Sequence, residues 1–253
     1  MDIFASCHEI NDLINEGEAR PARDALIKLL SYLEEEQITY PPYLNELIRS
    51  TGLFPYMKYD SATWDQKYVQ SAFAVDVGRK KVTLHREQSL VLKKLIEGTN
   101  LAVSAPTSFG KSFIIDAYIA AKKPRNVVII VPTIALMDET RRRIFKKFSD
   151  KYNIVTAPDS ALSEKNILIF PQERTFRYIR KLDSIDLLVV DEFYKISPQH
   201  DKERSPALMK AVLKLSAKSK QRYYLTPNIK KLGKNVFTEG MEFLELLDFN
   251  TVF

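Results

Sequence analysis

The chain has 253 residues, of which 45% are hydrophobic and 28% charged, a composition typical of a globular protein with one large domain or two small ones. No apolar run approaches the ~18 residues of a membrane span, and the N-terminus lacks the basic start and apolar block of a secretion signal. The single cysteine, Cys7, rules out an internal disulfide, and we predict a cytoplasmic protein. Three scattered histidines argue against a zinc site.

The formal net charge of +6 is unevenly distributed along the chain. Residues 1–50 contain four Lys or Arg residues and ten Asp or Glu residues, a balance of −6, so residues 51–253 carry +12. A basic body attracts nucleic acid through counterion release, although a solvated surface has the same composition. The acidic first segment leaves open the docking of a protein partner there.

Residues 1–78 are predicted to form a helical N-terminal domain. Apolar residues recur there at three- and four-residue spacing, and Pro41, Pro42 and Gly52 separate the helical segments. The predicted helices are EINDLINEGEA, ARDALIKLLSYLEEE, PYLNELIRSTG and SATWDQKYVQSAFA.

Four aromatic residues precede the next domain: Tyr56, Tyr59, Trp64 and Tyr68. Such residues stack on bases or fill the space between two domains. We prefer the second interpretation and expect them to pack between the helical domain and the rest of the chain.

From His85 onward, apolar runs of strand length alternate with helical patterns. Continuous Val, Ile and Leu runs between amphipathic helices indicate a mainly parallel sheet that is covered on both faces. We therefore predict an α/β domain over residues 79–253. Its predicted strands are NLAVSA, NVVIIVP, NIVTA, NILIF, IDLLVVDE and QRYYLT. Its predicted helices are SFIIDAYIAAKK, LMDETRRRIFKKF, QERTFRYIRKL and SPALMKAVLKLSA.

A polar turn, PTSFGKS, joins the first of these strands to a helix. Backbone N–H groups of such a turn point at one place, where the helix dipole also favours an anion. Gly110 would let the backbone approach phosphates, Lys111 would reach the β- and γ-phosphates of ATP, and Ser112 would ligate Mg²⁺. A Gly-Lys pair followed by Ser or Thr is by itself weak evidence, because such a triplet arises by chance in roughly a tenth of chains of this length. The residues expected to contact the nucleotide here are Thr107, Ser108, Phe109, Gly110, Lys111 and Ser112.

A second signal is the acidic pair that ends the apolar run IDLLVVDE. The carboxyl ends of parallel strands lie on the ligand side of a sheet, so this pair is expected near the polar turn. Asp191 is then predicted to hold Mg²⁺, and Glu192 to orient and deprotonate the water that attacks ATP. The alternative is an acidic pair that caps the following turn. Both signals in this order favour nucleotide binding.

These segments resemble the motifs of superfamily-two helicases and translocases. SAPTSFGKS, with Ala105 in place of the first glycine, is similar to motif I, and DEFY resembles motif II. The resemblance implies a RecA-like fold and ATP-driven action on nucleic acid. LHREQ resembles the glutamine motif, which implies that Gln88 reads the adenine edge. VPTIALMDE resembles motif Ia, which implies that Thr133 contacts a nucleic-acid strand, and LTPN occupies the place of motif III, which implies that Thr226 couples hydrolysis to strand movement.

The chain departs from the family pattern in several places. DEFY fits neither DEAD nor DEAH, Pro227 and Asn228 replace the Ala and Thr of motif III, and ILIFPQER has an altered T-P-E core. The resemblance covers residues 85–226, the first of two RecA-like domains. The second, with its arginine finger, would lie beyond Phe253, so we expect the N-terminal part of a longer motor that hydrolyses little ATP alone.

DEFY and LTPN also resemble helicase subunits of bacterial anti-phage defence systems, including Hachiman-type systems.

The leading interpretation is an ATP-dependent helicase or translocase that acts on nucleic acid, with DNA favoured over RNA. Two alternatives stay open: a nucleotide-gated binding or regulatory module without turnover, and a P-loop ATPase of another kind. The basic run Thr140–Lys147 fits either a phosphate-backbone contact or a solvated helix face.

Overall fold

The structure is a computed structural model that describes residues 1–78, 80–227, 229–246 and 249. Asn228, which belongs to the LTPN segment, lies outside the described residues, as does the end of the predicted 79–253 domain. No helix among the described residues is long and apolar enough to cross a membrane.

The N-terminal region is helical, as its apolar spacing predicts. Its helices are α1 (Ile3–Asn15), α2 (Ala19–Glu35), α3 (Leu44–Thr51) and α4 (Trp64–Ala72). They enclose a hydrophobic core of their own, in which Leu26, Leu30 and Ile48 are fully buried. α3 ends at Gly52, whose φ of 78° is left-handed, and a Cβ there would meet the Arg86 side chain at 2.8 Å.

The expectation that the aromatic residues pack between the two domains is wrong for three of the four. Tyr59, Trp64 and Tyr68 are 61%, 80% and 63% exposed. Trp64 and Tyr68 are four residues apart on α4 and stack on each other with ring centroids 5.8 Å apart, because residues at this spacing share one helix face. The opposite face of α4 packs on the helical core. Tyr56 does reach the next domain, with its ring 5.6 Å from that of His85.

An antiparallel hairpin and a helix that the sequence did not predict follow the helical region. They are β1 (Ala74–Val77), β2 (Lys80–Thr83) and α5 (Arg86–Ile96). The hairpin pairs Val77 with Lys80, across the boundary predicted between residues 78 and 79. Four-residue strands without a long apolar run produce little periodicity in a sequence, which explains why the two strands of the hairpin were not predicted.

The remaining strands form one sheet in which all neighbouring strands are parallel. They are β3 (Leu101–Ser104), β4 (Asn126–Val131), β5 (Asn153–Val155), β6 (Asn166–Pro171), β7 (Leu187–Val190), β8 (Arg222–Thr226) and β9 (Glu242–Glu245). Their order is β5-β6-β4-β7-β8-β3-β9. The predicted α/β class is therefore confirmed. β9 was missed because an edge strand with two terminal glutamates lacks the buried apolar run of the central strands.

Helices cover both faces of this sheet. They are α6 (Lys111–Lys122), α7 (Ile134–Phe148), α8 (Thr175–Tyr178) and α9 (Ser205–Ser216). Because successive strand residues point to opposite faces, Val189 packs with α5, α6 and α7, whereas Leu188 packs with α8 and α9. The segment predicted as one helix over residues 172–182 forms a 3-10 turn over Gln172–Arg174, then α8, then a second 3-10 turn over Ile179–Lys181. The carbonyls of Ile179 and Leu182 accept hydrogen bonds from the Lys218 ammonium instead of continuing a helix.

Candidate functional site

The predicted site residues follow neighbouring strands at one edge of the sheet. The polar turn follows β3, Thr133 follows β4, Asp191 follows β7, and Thr226 ends β8. β8 lies between β3 and β7, so the polar turn and the acidic pair are separated by a single strand. This arrangement is the ligand side of a parallel sheet.

The polar turn has the backbone that an anion site needs. A 3-10 turn over Thr107–Phe109 leads to Gly110, whose φ of 76° and ψ of 33° are left-handed, and α6 begins at the next residue. Thr107, Ser108 and Ser112 are exposed, whereas Phe109 is fully buried and anchors the turn. The first N–H groups of a helix have no carbonyl partner within it. Donors at the start of α6 therefore face an exposed turn.

Lys111 lies folded over this turn. Its Nζ donates hydrogen bonds to the carbonyls of Ala105 at 2.7 Å and Pro106 at 3.0 Å. Burial lowers the pKa of Lys111, and the negative charges of Asp191 and Glu192 oppose that shift. The ammonium and both carboxylates are therefore close enough to act on one another, as expected for a polar turn and an acidic pair that follow strands of the same parallel sheet.

Asp191 and Glu192 occupy a tight turn directly after β7. The Asp191 carboxylate accepts the N–H of Glu192 at 2.9 Å. Burial raises the pKa of Asp191, and this hydrogen bond acts against the increase. Glu192 has a left-handed φ of 50°, which is unusual for a residue with a Cβ.

The Glu192 carboxylate forms an ion pair with Lys195, three residues further along. This contact raises the pKa of Lys195. Lys195 was not among the predicted site residues, although its three-residue spacing from Glu192 is typical of a short-range ion pair. Its effect is to hold the side chain proposed as the base in one orientation.

Gln88 braces the polar turn. Its Oε1 accepts the N–H of His85 at 3.0 Å, and its Nε2 donates to the carbonyl of Phe109 at 2.8 Å. A Cβ on Gly110 would lie 3.0 Å from the same Nε2. Each of these amide atoms keeps capacity for one further hydrogen bond. The adenine contact implied for Gln88 stays a prediction.

The end of β8 is hydrogen-bonded to the start of the polar turn. Thr226 is fully buried, and its carbonyl accepts the N–H of Ala105 at 3.1 Å. The Ser104 hydroxyl in turn accepts the N–H of Ile229 at 2.8 Å. A displacement of the LTPN segment would therefore act directly on the polar turn.

Thr133 lies at the exposed start of α7. Its hydroxyl accepts the N–H of Leu136 at 3.2 Å and so caps the helix. The next residue, Ile134, is 61% exposed. The structure therefore places Thr133 at the same sheet edge as the polar turn but does not bring it to Lys111.

A buried ion-pair cluster joins α6 to α7, and it explains much of the basic run over residues 140–147. The Asp116 carboxylate is fully buried and forms ion pairs with Arg143 and with Lys147, the latter at 2.6 Å. Arg143 also donates to the carbonyl of Ser112 at 2.7 Å. Two more of its basic residues, Arg141 and Arg142, pair with Asp138. In the sequence, an acidic residue within the apolar stretch FIIDAYIA, Asp116, indicates that a buried cation partner is needed.

A cavity of about 490 Å³ lies between the helical region and the α/β domain. Arg23 and Glu87 form an ion pair at 3.0 Å in its wall. The Phe249 ring also lines the cavity and packs edge-on against Phe109, with centroids 4.8 Å apart. The helical region thus contacts the elements that support the polar turn.

Two families match this chain. Residues 1–67 match the N-terminal domain of anti-bacteriophage protein B, and residues 85–229 match DEAD/DEAH box helicases. The chain belongs to the DEAD/DEAH box helicase family. The predicted resemblance to DExD/H-box helicases is thereby confirmed, and the seven-stranded parallel sheet with helices on both faces agrees with the α/β fold that the resemblance implied.

Several known proteins are similar to this DEAD/DEAH box chain. Anti-bacteriophage protein B of Escherichia coli strain K12 is 33% identical over 242 residues, which cover 91% of this chain and 33% of that protein. This chain thus spans about a third of the length of that curated relative. Among solved structures, the UvsW helicase from bacteriophage T4 is 14% identical with a TM-score of 0.48, covering 71% of this chain and 66% of that one. The DUF1998 helicase MrfA bound to DNA is 12% identical with a TM-score of 0.49, and the match covers 68% of this chain and 28% of that one.

Proposed function

We propose that this chain is an ATP-binding and ATP-hydrolysing motor unit of a nucleic-acid helicase or translocase. The observation that carries the proposal is the position of Lys111. Its ammonium lies over an exposed left-handed glycine turn at the sheet edge, and its pKa responds to the charges of Asp191 and Glu192. One cation, one helix start and two carboxylates in this arrangement fit a triphosphate with its metal ion.

In this proposal each group of the polar turn has one role. Gly110 lets the backbone donors approach the phosphates, and Lys111 leaves its carbonyl partners to neutralise phosphate charge. Ser112 and Asp191 would hold Mg²⁺, since a hydroxyl and a carboxylate supply the oxygen ligands that this ion prefers. When bound, Mg²⁺ neutralises charge that develops on the phosphates during transfer.

Glu192 is the proposed general base, because a carboxylate beside the phosphate site can accept the proton of the attacking water. Thr226 is the proposed coupling residue. Its carbonyl hydrogen bond to Ala105 gives a direct path from the polar turn to the LTPN segment. Thr133 is the proposed contact to a nucleic-acid strand, supported by its exposed place at the same edge.

The biological setting that we propose is defence against bacteriophage. The support is the similarity of 91% of the chain to anti-bacteriophage protein B, together with the match of residues 1–67 to the N-terminal domain of that protein. A motor on nucleic acid suits this role, since phage infection introduces foreign nucleic acid.

A second candidate is a nucleotide-gated binding module without productive turnover. The ion pair between Lys195 and Glu192 favours it, because a carboxylate that is held by a cation is less available to water. Steady ATP turnover that depends on Glu192 would exclude this candidate.

The proposal is tested by measuring ATP–Mg²⁺ binding calorimetrically for the unmodified chain and for Lys111→Ala. Charge-assisted hydrogen bonds are worth about 1.5–3 kcal/mol, so we expect affinity to fall roughly 10- to 150-fold. Lys122→Ala is the matched control, because Lys122 is an exposed lysine at the opposite end of the same helix. Equal affinities of the Lys111 and Lys122 variants would refute the phosphate-binding assignment.

A further inference from the structure

A basic surface lies on the side of the α/β domain, where α8 and the turn after it run beside α9. Residues 172–182 and 204–218 contain eight Lys or Arg residues and one acidic residue, so their formal charge is +7, against +6 for the whole chain. We call the exposed part of this surface the basic ridge. It consists of Arg177, Arg180, Lys210 and Lys214 around Phe176.

Three contacts show that the two segments run side by side in the same direction. Arg204 pairs with Glu173 at 2.7 Å at one end, and Lys218 binds the carbonyl of Ile179 at 3.0 Å at the other. Between them, the ring of Phe176 meets side chains of α9. The two segments therefore run together over about the length of the twelve-residue α9, roughly 18 Å. Within this span, Lys210 and Lys214 are about one helical turn apart, roughly 6 Å.

Two lysines share one aromatic ring at the centre of the ridge. The Nζ atoms of Lys210 and Lys214 lie 4.8 Å and 4.7 Å from the Phe176 ring centroid. Cation–π contacts of exposed lysines stabilise by only about 0.5–1 kcal/mol each. Two like charges are thus held close together with little compensation, and a bound anion would relieve their repulsion.

The carboxylates near the ridge do not neutralise it. Glu173 is engaged by Arg204. Among the described residues, no carboxylate forms an ion pair with Arg177, Lys210 or Lys214. Asp159 is close enough to affect the pKa of Tyr178 but pairs with none of them. The ridge therefore has a surplus of positive charge in the middle of the span that α8 and α9 share.

We propose that the basic ridge binds the phosphate backbone of nucleic acid, as a contact surface separate from the sheet edge that carries Thr133. The partner must offer regularly spaced negative charges along a line, which is the property of a polynucleotide. Because no base-reading geometry is required, the contact is independent of sequence. The proposal rests on the proposed action on nucleic acid and adds to it a second surface on the opposite side of α8 from the sheet core.

The test compares the unmodified protein with Lys210→Glu/Lys214→Glu. The matched control is Lys28→Glu/Lys122→Glu, which makes the same change of net charge at two exposed lysines outside the ridge. Fluorescence anisotropy would follow binding of a labelled 20-nucleotide single strand and the corresponding duplex, in DNA and in RNA, from 50 to 200 mM salt. ATP affinity of each variant shows that the fold and the nucleotide site are intact. Lys210→Gln/Lys214→Gln serves as a milder variant where the double charge reversal impairs folding.

We expect the ridge variant to lose at least about tenfold in affinity at ~0.1 M salt, and the control to change little. The slope of log affinity against log salt should become shallower by about 1.8 for duplex and about 1.4 for single strand, which corresponds to two lost phosphate contacts. Equal losses in ridge and control variants, or an unchanged salt slope, would overturn the proposal and leave an acidic protein as the partner for this surface. If the unmodified protein binds no nucleic acid at any salt concentration, the proposed function itself fails.

Discussion

Replacement of Asp116 by Asn is expected to destabilise the domain by unpairing two cations at once. Asp116 lies on α6, the helix that follows the polar turn, and is fully buried. Both of its oxygens are used, one by Arg143 and the other by Lys147. Asparagine has nearly the same shape, so the substitution removes the charge without creating a cavity.

The magnitude follows from the exposure of the two cations. Removing one partner of a fully buried ion pair costs about 3–5 kcal/mol. The side chains of Arg143 and Lys147 are 23% and 28% exposed, so both can regain water after the substitution. We therefore expect the lower end of that range, about 3 kcal/mol. For a chain of this size 1 kcal/mol shifts the melting temperature by about 2–4 °C, which gives a decrease of about 6–12 °C.

Thermal unfolding followed by circular dichroism measures this decrease. Asp138→Asn is the control, because Asp138 also pairs with two arginines but on the surface of α7, where ion pairs contribute little. The control should melt close to the unmodified chain. If the Asp116 and Asp138 variants melt at the same temperature, the buried cluster does not stabilise the junction of α6 and α7.

Three further substitutions test the site. In the longer protein to which we expect this chain to belong, Glu192→Gln should retain ATP–Mg²⁺ binding and lower ATP turnover about a hundredfold or more, since an amide does not accept the proton of water; near-normal phosphate release would show that another group is the base. Gly110→Ala places a Cβ 3.0 Å from the Gln88 amide in a left-handed turn, so we expect it to lower the free energy of unfolding by about 1–2 kcal/mol and to weaken ATP binding. An unchanged melting temperature and an unchanged ATP affinity would contradict this. Burial lowers the pKa of His85 from 6.5 to about 3, so between these values the unfolded chain binds more protons than the native one, and the free energy of unfolding decreases as the pH is lowered. The loss is about 2 kcal/mol at pH 5. His85→Gln should therefore reduce the fall in melting temperature between pH 7 and pH 5, whereas exposed His8→Gln should not. An equal fall in the two variants would show that buried His85 does not cause the loss of stability.

The central strands and the two parts of the candidate site, the polar turn and the acidic pair, could be predicted from short segments. The apolar run before Asp191 and the turn around Gly110 are each contiguous, so their pattern survives in the sequence. The approach of Lys111 to Asp191 followed from one general rule, that parallel strands end at the same edge of a sheet. The roles of Gln88, Thr133 and Thr226 came from family resemblance and stay predictions.

Other features were missed because their signals are weak or non-local. The hairpin β1–β2 and the edge strand β9 are four residues long and only partly apolar, so no periodicity marks them. The segment predicted as one helix over residues 172–182 is divided into a 3-10 turn, the short α8 and a second 3-10 turn, and Lys218, far along the chain, donates hydrogen bonds to carbonyls at its end. The exposure of Trp64 depends on which face of α4 meets the helical core, and that face is chosen by partners in other helices.

The sequence by itself determined the α/β class, the helical N-terminal region and the position of the polar turn around Gly110, because these depend on residues that are close together in the chain. Only the tertiary structure decided which positive charges are available to a ligand. Arg143 and Lys147 look as suited to phosphate as Lys210 and Lys214, yet the first pair meets Asp116 and the second meets an uncharged ring. The charge of a side chain follows from its residue type, but its neutralisation requires a counter-charge within about 4 Å, which folding supplies from distant parts of the chain.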